Sequence, residues 1–302
     1  MITSNDSSAS QRAECHGSIT GRIRKFYLLN YADDRFSHKG ASFKLNQTTL
    51  NKSARRHGIE NIVSWSWEQL NQTDFYQQHR AFLSRPYHLS GFAFKPYITL
   101  QLLEKIDYGD IVIYYDSGNG GHVIDCSLNP LIRLCLANKG TVFHQWGEKN
   151  FKWTKRDCFV LMGCDHQRFH EAVALQATWF VIEKTEFALR FVREWLAFNL
   201  DERIASYENH SACGLPDLPG FVQHRGDQSI FTNLAVKYDI RTFYGAGGPA
   251  NRRIGNFVRS LSFTGRVRVR TRDHARLLLA TAKRALKRVV RKNDSTGPVP
   301  HS

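Results

Sequence analysis

From Arg24 onward the chain alternates short apolar, aromatic-rich runs with longer amphipathic stretches, and this alternation restricts it to a β-sheet covered by helices. Period-two and period-3.6 patterns predict strands at Phe26 to Tyr31, Asn61 to Trp65, Ile111 to Tyr115, Val142 to His144 and Gln176 to Glu183. They predict helices at Phe43 to His57, Asp74 to Leu83, Lys95 to Ile106, Asn129 to Asn138, Glu186 to Asn199 and Asp227 to Tyr238. With 302 residues, 42% of them hydrophobic, there is material for one large α/β domain, expected over 23–260. No apolar stretch approaches the roughly 20 residues that a membrane-spanning helix needs. The start is polar and small (Ser4, Asn5, Asp6, Ser7, Ser8), without the basic and apolar parts of a signal peptide, and reads as a disordered leader over 1–22. Cysteines 15, 126, 135, 158, 164 and 213 form neither a C-x-x-C pair nor a cluster with zinc spacing, so reduced thiols and a cytoplasmic location are expected.

The net charge of +15 suggests an anionic partner, but its distribution is more informative than its sum. Residues 252–292 hold 14 Lys and Arg against Asp273 alone, and the rest of the chain is near neutral at +2. Arg266, Arg268, Arg270 and Arg272 alternate with Val267, Val269 and Thr271, so an extended backbone would carry every arginine on one face. Over 273–292 a helix would place Ala275, Leu278, Leu279, Ala282, Leu286 and Val289 on one side. Arg276, Lys283, Arg284, Lys287, Arg288 and Arg291 would lie on the other. This basic tail, 261–302, reads as an amphipathic anchor for an anionic membrane surface, with packing of its apolar stripe on the domain as the alternative. No RNA-reading motif accompanies the charge, so nucleic acid is not expected as its partner.

In an open α/β sheet, ligands bind beyond the carboxyl ends of the strands. The first strand exits into Asn30, Tyr31, Ala32, Asp33 and Asp34; the third exits into Tyr115, Asp116, Ser117 and Gly118, followed by Asn119, Gly120, Gly121 and His122. A buried strand that delivers one carboxylate to its tip, then a glycine-rich loop, suits a diphosphate with a divalent cation. Mg²⁺ and Mn²⁺ take oxygen ligands, and one or two carboxylates plus the phosphates can suffice. Asp before Ser and Gly is also ordinary turn chemistry. Lys95 at a helix start has the reach to meet a phosphate, or is simply solvated. Arg252 and Arg253, after Gly245, Gly247 and Gly248, form a basic loop. Trp65, Trp67, Phe92 and Phe94 are core residues or stacking platforms for a base or sugar.

Gly91-Phe92-Ala93-Phe94-Lys95-Pro96-Tyr97-Ile98, then Leu102-Leu103, Gly109-Asp110 and Tyr115-Asp116-Ser117-Gly118, resembles bacterial GT-A-fold glycosyltransferases of polysaccharide assembly. Downstream, Gly220-Phe221, His224-Arg225 and Asp227-Gln228-Ser229-Ile230 resembles their H-R-x-D-Q-S motif, so the likeness spans roughly residues 24–245. What it implies is an α/β, GT-A-like open mixed sheet flanked by helices and a nucleotide-diphosphate-sugar donor. Asp116 stands where that fold has its D-x-D motif, with Mn²⁺ or Mg²⁺ as the implied cation. Here the second carboxylate is replaced by Gly118.

On these grounds Asn30, Tyr31, Ala32, Lys95, Tyr115, Asp116, Ser117, Gly118 and Gln228 are the candidate donor-binding residues, with Asp116 the candidate metal ligand. Asp227, His224 and Arg225 are the candidate catalytic group, because glycosyl transfer needs an oriented acceptor hydroxyl and cations facing the departing diphosphate. Asp227 also suits the first turn of a helix, as a cap. The expected activity is glycosyl transfer to a glycan or lipid-linked acceptor at the cytoplasmic membrane face. The alternative is a non-catalytic module of the same fold that binds membrane or nucleic acid through its tail. No G-x-S-x-G elbow is present, and no G-x-G-x-x-G follows the first strand.

Overall fold

The structure, a computed structural model, describes residues 23–37, 41–118, 122–208, 211–244 and 253–263. Five strands, β1 (Phe26–Ala32), β2 (Asn61–Ser66), β3 (Ile111–Tyr115), β4 (Thr141–Lys149) and β5 (Val173–Glu183), form one sheet in the order β2-β1-β3-β5-β4. β1 runs parallel to β2 and β3, while β5 is antiparallel to both β3 and β4. The helices among the described residues are α1 (Phe43–Arg56), α2 (Trp67–Asn71), α3 (Asp74–Gln78), α4 (Arg80–Leu83), α5 (Phe94–Lys105) and α6 (Asn129–Ala137). They continue with α7 (Arg156–Leu161), α8 (Gln167–His170), α9 (Glu186–Asn199), α10 (Glu202–Ala205), α11 (Asp227–Lys237) and α12 (Ile254–Phe263). This is the sheet covered by helices that the sequence patterns predict, and it is open and mixed, as the resemblance implies. The leader 1–22 and the amphipathic helix expected at 273–292 lie outside the described residues.

β3 is buried at all five positions, as a central strand covered on both faces must be. Its alternating side chains separate two cores. Val112 and Tyr114 pack with α5, α9 and α11, whereas Ile111, Ile113 and Tyr115 pack with α1, α6 and α12. α9 shows how local sequence sets an element. The Thr185 hydroxyl accepts from Ala188 N at 3.0 Å, Glu186 sits in the first turn, and Ala188, Leu189, Phe191, Val192 and Trp195 form the buried stripe. α5 is different, being buried almost all round, with Pro96 in its first turn where no intrahelical donor is needed.

Two expectations are corrected by tertiary contacts. The helix expected over Asp74 to Leu83 is broken at His79, which leaves helical dihedrals (φ −111°, ψ 21°) with its ring against Phe75. β4 runs well past His144 to Lys149, because Gln145 pairs with Leu175 and its N–H donates to Phe243 O at 2.8 Å. Ile254, Phe257 and Val258 of α12, inside the span 23–260 expected for the domain, are core residues. Arg252 falls outside the described residues, and Arg253 accepts from Asn256 N in the turn that opens α12.

Candidate functional site

The carboxyl end of β3 delivers Asp116 to the edge of the sheet, and the loop behind it is tied down on several sides. Asp116 N donates to Thr178 O (2.8 Å), the Ser117 hydroxyl donates to Tyr31 O, and Asn46 Nδ2 donates to Gly118 O (3.0 Å). His122 Nδ1 lies 2.7 Å from Asp116 O, so the ring carries its proton on Nδ1, and it stacks on Tyr115 at 4.8 Å. The Asp116 carboxylate itself accepts from the Tyr114 hydroxyl on Oδ1 at 2.7 Å. Burial, and then the charge of Asp116, push the Tyr114 phenol well above its ordinary pKa, which keeps it a donor.

The second component comes from α5. Lys95, in its first turn, is buried with its Nζ 2.8 Å from Asp227 Oδ2 and 3.6 Å from Asp116 Oδ1, and it donates to Ala177 O at 3.0 Å. The Lys95–Asp227 contact is ionic and lacks hydrogen-bond alignment, so Asp227 Oδ2 has no hydrogen-bond partner. The Ala177 carbonyl is available because the β4–β5 register jumps from Phe143↔Phe180 to His144↔Gln176, leaving Ala177, Thr178 and Trp179 unopposed by β4. Burial works against the Lys95 charge, but Asp116 and Asp227 outweigh it and hold the ammonium above the ordinary lysine value. Burial wins at Asp227, which lies above the usual carboxylate range although Lys95 pulls it down.

Two glycines bring these charges together. Gly91 (φ 58°) precedes α5 and Gly226 (φ 47°) caps α11, both in the left-handed region that favours glycine. A Cβ on Gly226 would lie 3.3 Å from the Cα of Gly91 and 3.1 Å from Ala205 O, and one on Gly91 would meet Ala205 Cβ at 2.4 Å. Only bare backbone lets the two helix starts approach so closely. Asp227 therefore occupies the first turn of α11 with Gly226, not itself, as the N-cap, and its carbonyl accepts from Trp195 Nε1 at 3.1 Å.

Lys95, Asp116, Gly118, Arg225, Asp227 and Gln228 line one cavity of about 440 Å³. Sequence reasoning did not single out His122, Trp146, Gln176, Thr178 or Tyr207 as members of its wall, and it left Phe92 between core and platform; Phe92 lines the cavity, while Phe94 packs in the core. The Arg225 guanidinium lies over the rings of Trp146 (5.4 Å) and Trp153 (4.8 Å) and partners the Tyr207 phenol, while its buried Nε has no hydrogen-bond partner. A second depression of about 280 Å³, beside Arg168, Asp239 and Arg241, holds an Arg168–Asp239 ion pair and no comparable convergence of buried charge.

The other candidates lie elsewhere. Asn30 faces α1, donating to Asn51 Oδ1 at 2.8 Å; Tyr31 stacks on Phe94 (4.2 Å) and donates to Asp33; Ala32 is fully buried. Tyr115 points to the opposite core, where its hydroxyl accepts from Ile254 N, and Ser117 is used up by Tyr31 O. His224 is buried behind the loop with Nδ1 accepting from Lys155 N at 3.2 Å, and burial and Lys155 push its pKa well below the ordinary value. It is neutral and braces the loop. The period-two side-chain alternation of β1 and β3 explains most of these placements, since neighbouring residues of an exit cannot all face one cavity.

A divalent cation at Asp116 does not suit this donor set. Oδ1 already serves Tyr114 and Lys95, and among the described residues no group of three His, Cys, Asp or Glu is placed to hold an ion. An ammonium and a dication about 4 Å apart repel by about 8 kcal/mol at an effective dielectric near 20.

No protein-family model matches the chain, and no curated protein matches it. Among solved structures the chain is similar to 4-diphosphocytidyl-2C-methyl-D-erythritol synthase from Anaerococcus prevotii, at 13% identity over 80% of this chain and 99% of that one, with a TM-score of 0.34. It is also similar to mouse xyloside xylosyltransferase 1 in its apo form, at 12% identity over 73% and 84% of the two chains, with a TM-score of 0.38. The chemistry of the site stands on its own residues.

Proposed function

We propose that this chain is a glycosyltransferase that moves a sugar from a nucleotide-diphosphate donor to a glycan or lipid-linked acceptor. One observation carries the reading: Lys95, Asp116, and the group Arg225, Asp227 and Gln228 belong to three motifs far apart in sequence, yet they line a single cavity at the carboxyl edge of the sheet. Glycosyl transfer breaks the bond between the anomeric carbon and the diphosphate, so a cation must face the departing oxygens. Arg225, with its partnerless Nε, is suited to that. Asp227, buried and with a raised pKa, is suited to accept the proton of an acceptor hydroxyl, and Asp116 Oδ2, on a side chain 31% exposed, to receive a sugar hydroxyl. Phe92 and Trp146 offer apolar faces to a sugar ring.

A thermal-shift and donor-hydrolysis screen with UDP-, GDP- and CDP-sugars is expected to single out one nucleotide class, and Asp116→Ala to weaken that response at least about tenfold, or about 1.4 kcal/mol. No response to any of them from the wild-type chain would sink the reading.

We also propose that the enzyme works at the cytoplasmic face of the membrane, held by the basic stretch 261–302, because clustered Lys and Arg gain about 1 kcal/mol each beside anionic headgroups. The full chain is expected to pellet with phosphatidylserine vesicles at low salt, and a chain ending at Gly265 to stay in the supernatant. Equal pelleting of the two would defeat the proposal.

A further inference from the structure

We infer that the Lys95 ammonium stands in the place a divalent cation would take, so that this site handles a nucleotide diphosphate without a metal. The inference rests on the nucleotide-sugar reading for its ligand, but its electrostatic content is independent of it. Gly118 removes the second carboxylate of the strand-tip motif, and the carboxylate that does approach Asp116 comes from α11 instead. Between the two lies not an open space ringed by oxygens but a buried ammonium, 3.6 Å from Asp116 Oδ1, 2.8 Å from Asp227 Oδ2 and 3.0 Å from Ala177 O. One hydrogen bond, to Ala177 O, and two ion pairs hold this lysine among three oxygens.

The charge balance leads to the same place. Asp116 and Asp227 contribute two negative charges, which Lys95 and Arg225 offset with two positive ones in the same cavity wall. A dication added to that wall would leave an excess of positive charge, whereas a diphosphate would meet the partnerless Nε of Arg225. Lys95 is here a positioning residue: it is held by Ala177 O and paired with both carboxylates, and it acts by fixing them and supplying the local positive potential. A surface lysine would not do this. Its side chain is 6% exposed, and α5, β5 and the start of α11 hold it in place.

The test is a pair of titrations on the full chain. In the first, free Mn²⁺ is followed by its electron paramagnetic resonance signal as protein is added, for wild type, Lys95→Met and Asp116→Asn. The expected result is an unchanged signal with wild type and loss of signal with Lys95→Met, whose two carboxylates are freed to take the ion. In the second, UDP, GDP and CDP are titrated calorimetrically in EDTA and in Mn²⁺, and the Kd of whichever binds is expected to agree within about threefold, roughly 0.7 kcal/mol.

One equivalent of Mn²⁺ bound by wild type and lost in Asp116→Asn would overturn the inference. So would nucleotide binding tightened at least about tenfold by Mn²⁺, or Mn²⁺ ignored by Lys95→Met as well as by wild type. Absence of nucleotide binding in both buffers would count against the donor reading alone, and the Mn²⁺ titration would then decide the role of Lys95. Should Lys95→Met fail to fold, the wild-type titrations in EDTA and Mn²⁺ decide it.

Discussion

Replacing Lys95 by methionine is expected to remove about 3–5 kcal/mol of folding stability at neutral pH, because it leaves Asp227 buried without its counter-charge. The loss is expected to shrink as the pH falls. Burial already raises the Asp227 pKa, and the charge of Lys95 is the largest influence that lowers it, so without Lys95 the carboxyl rises further. A carboxyl with a raised folded-state pKa binds its proton more tightly in the folded chain than in the unfolded one. The stability linked to that proton is fully present below the unfolded pKa and disappears as the pH rises through the folded value. Urea unfolding of wild type and Lys95→Met at several pH values between 5 and 8, a range set by ordinary protein handling, measures this. A deficit under about 1 kcal/mol at neutral pH, or one that does not narrow on acidification, would contradict the buried ion pair. Adding Asp227→Asn to Lys95→Met is expected to restore much of the loss, since a neutral amide no longer has to be charged in the core.

The second large effect is expected at the two glycines. Gly91→Ala combines a left-handed backbone, about 1–2 kcal/mol for a residue with a Cβ, with a Cβ placed 2.4 Å from Ala205 Cβ, for which overpacking adds about 1–3 kcal/mol. Gly226→Ala carries the same backbone strain and a Cβ 3.0 Å from the Tyr207 ring. Each change is expected to lower stability by about 2–5 kcal/mol in urea unfolding, and to weaken nucleotide binding by moving α5 from α11. Ala205→Gly is expected to relieve the steric part of Gly91→Ala and leave the backbone part. Two changes that each lowered stability by less than about 1 kcal/mol would mean that the helix starts do not meet as described.

Much of the frame was legible because it depends on short-range periodicity. β3 appeared at its true bounds, since five successive apolar residues after Gly109-Asp110 suit only a strand covered on both faces. α9 keeps its expected bounds, Glu186 to Asn199, because its apolar stripe is a face written within one helix. Asp116 at a strand tip follows from the same local logic. Trp146 on the cavity wall did not, because Gly147 (φ 92°) interrupts the pattern and β4 continues only through its pairing with β5 and its bridge to Phe243.

Asp116 as a carboxylate delivered by a buried strand was thus determined by the sequence alone. What that carboxylate does was decided only in three dimensions, where Lys95 became a buried ammonium between Asp116 and Asp227, and His224 turned inward to brace a loop. Periodicity reports which face of an element is apolar, and so it places elements. Charge pairing across the fold depends on the close approach of Gly91 and Gly226, two backbones distant in sequence, and no local pattern encodes that distance.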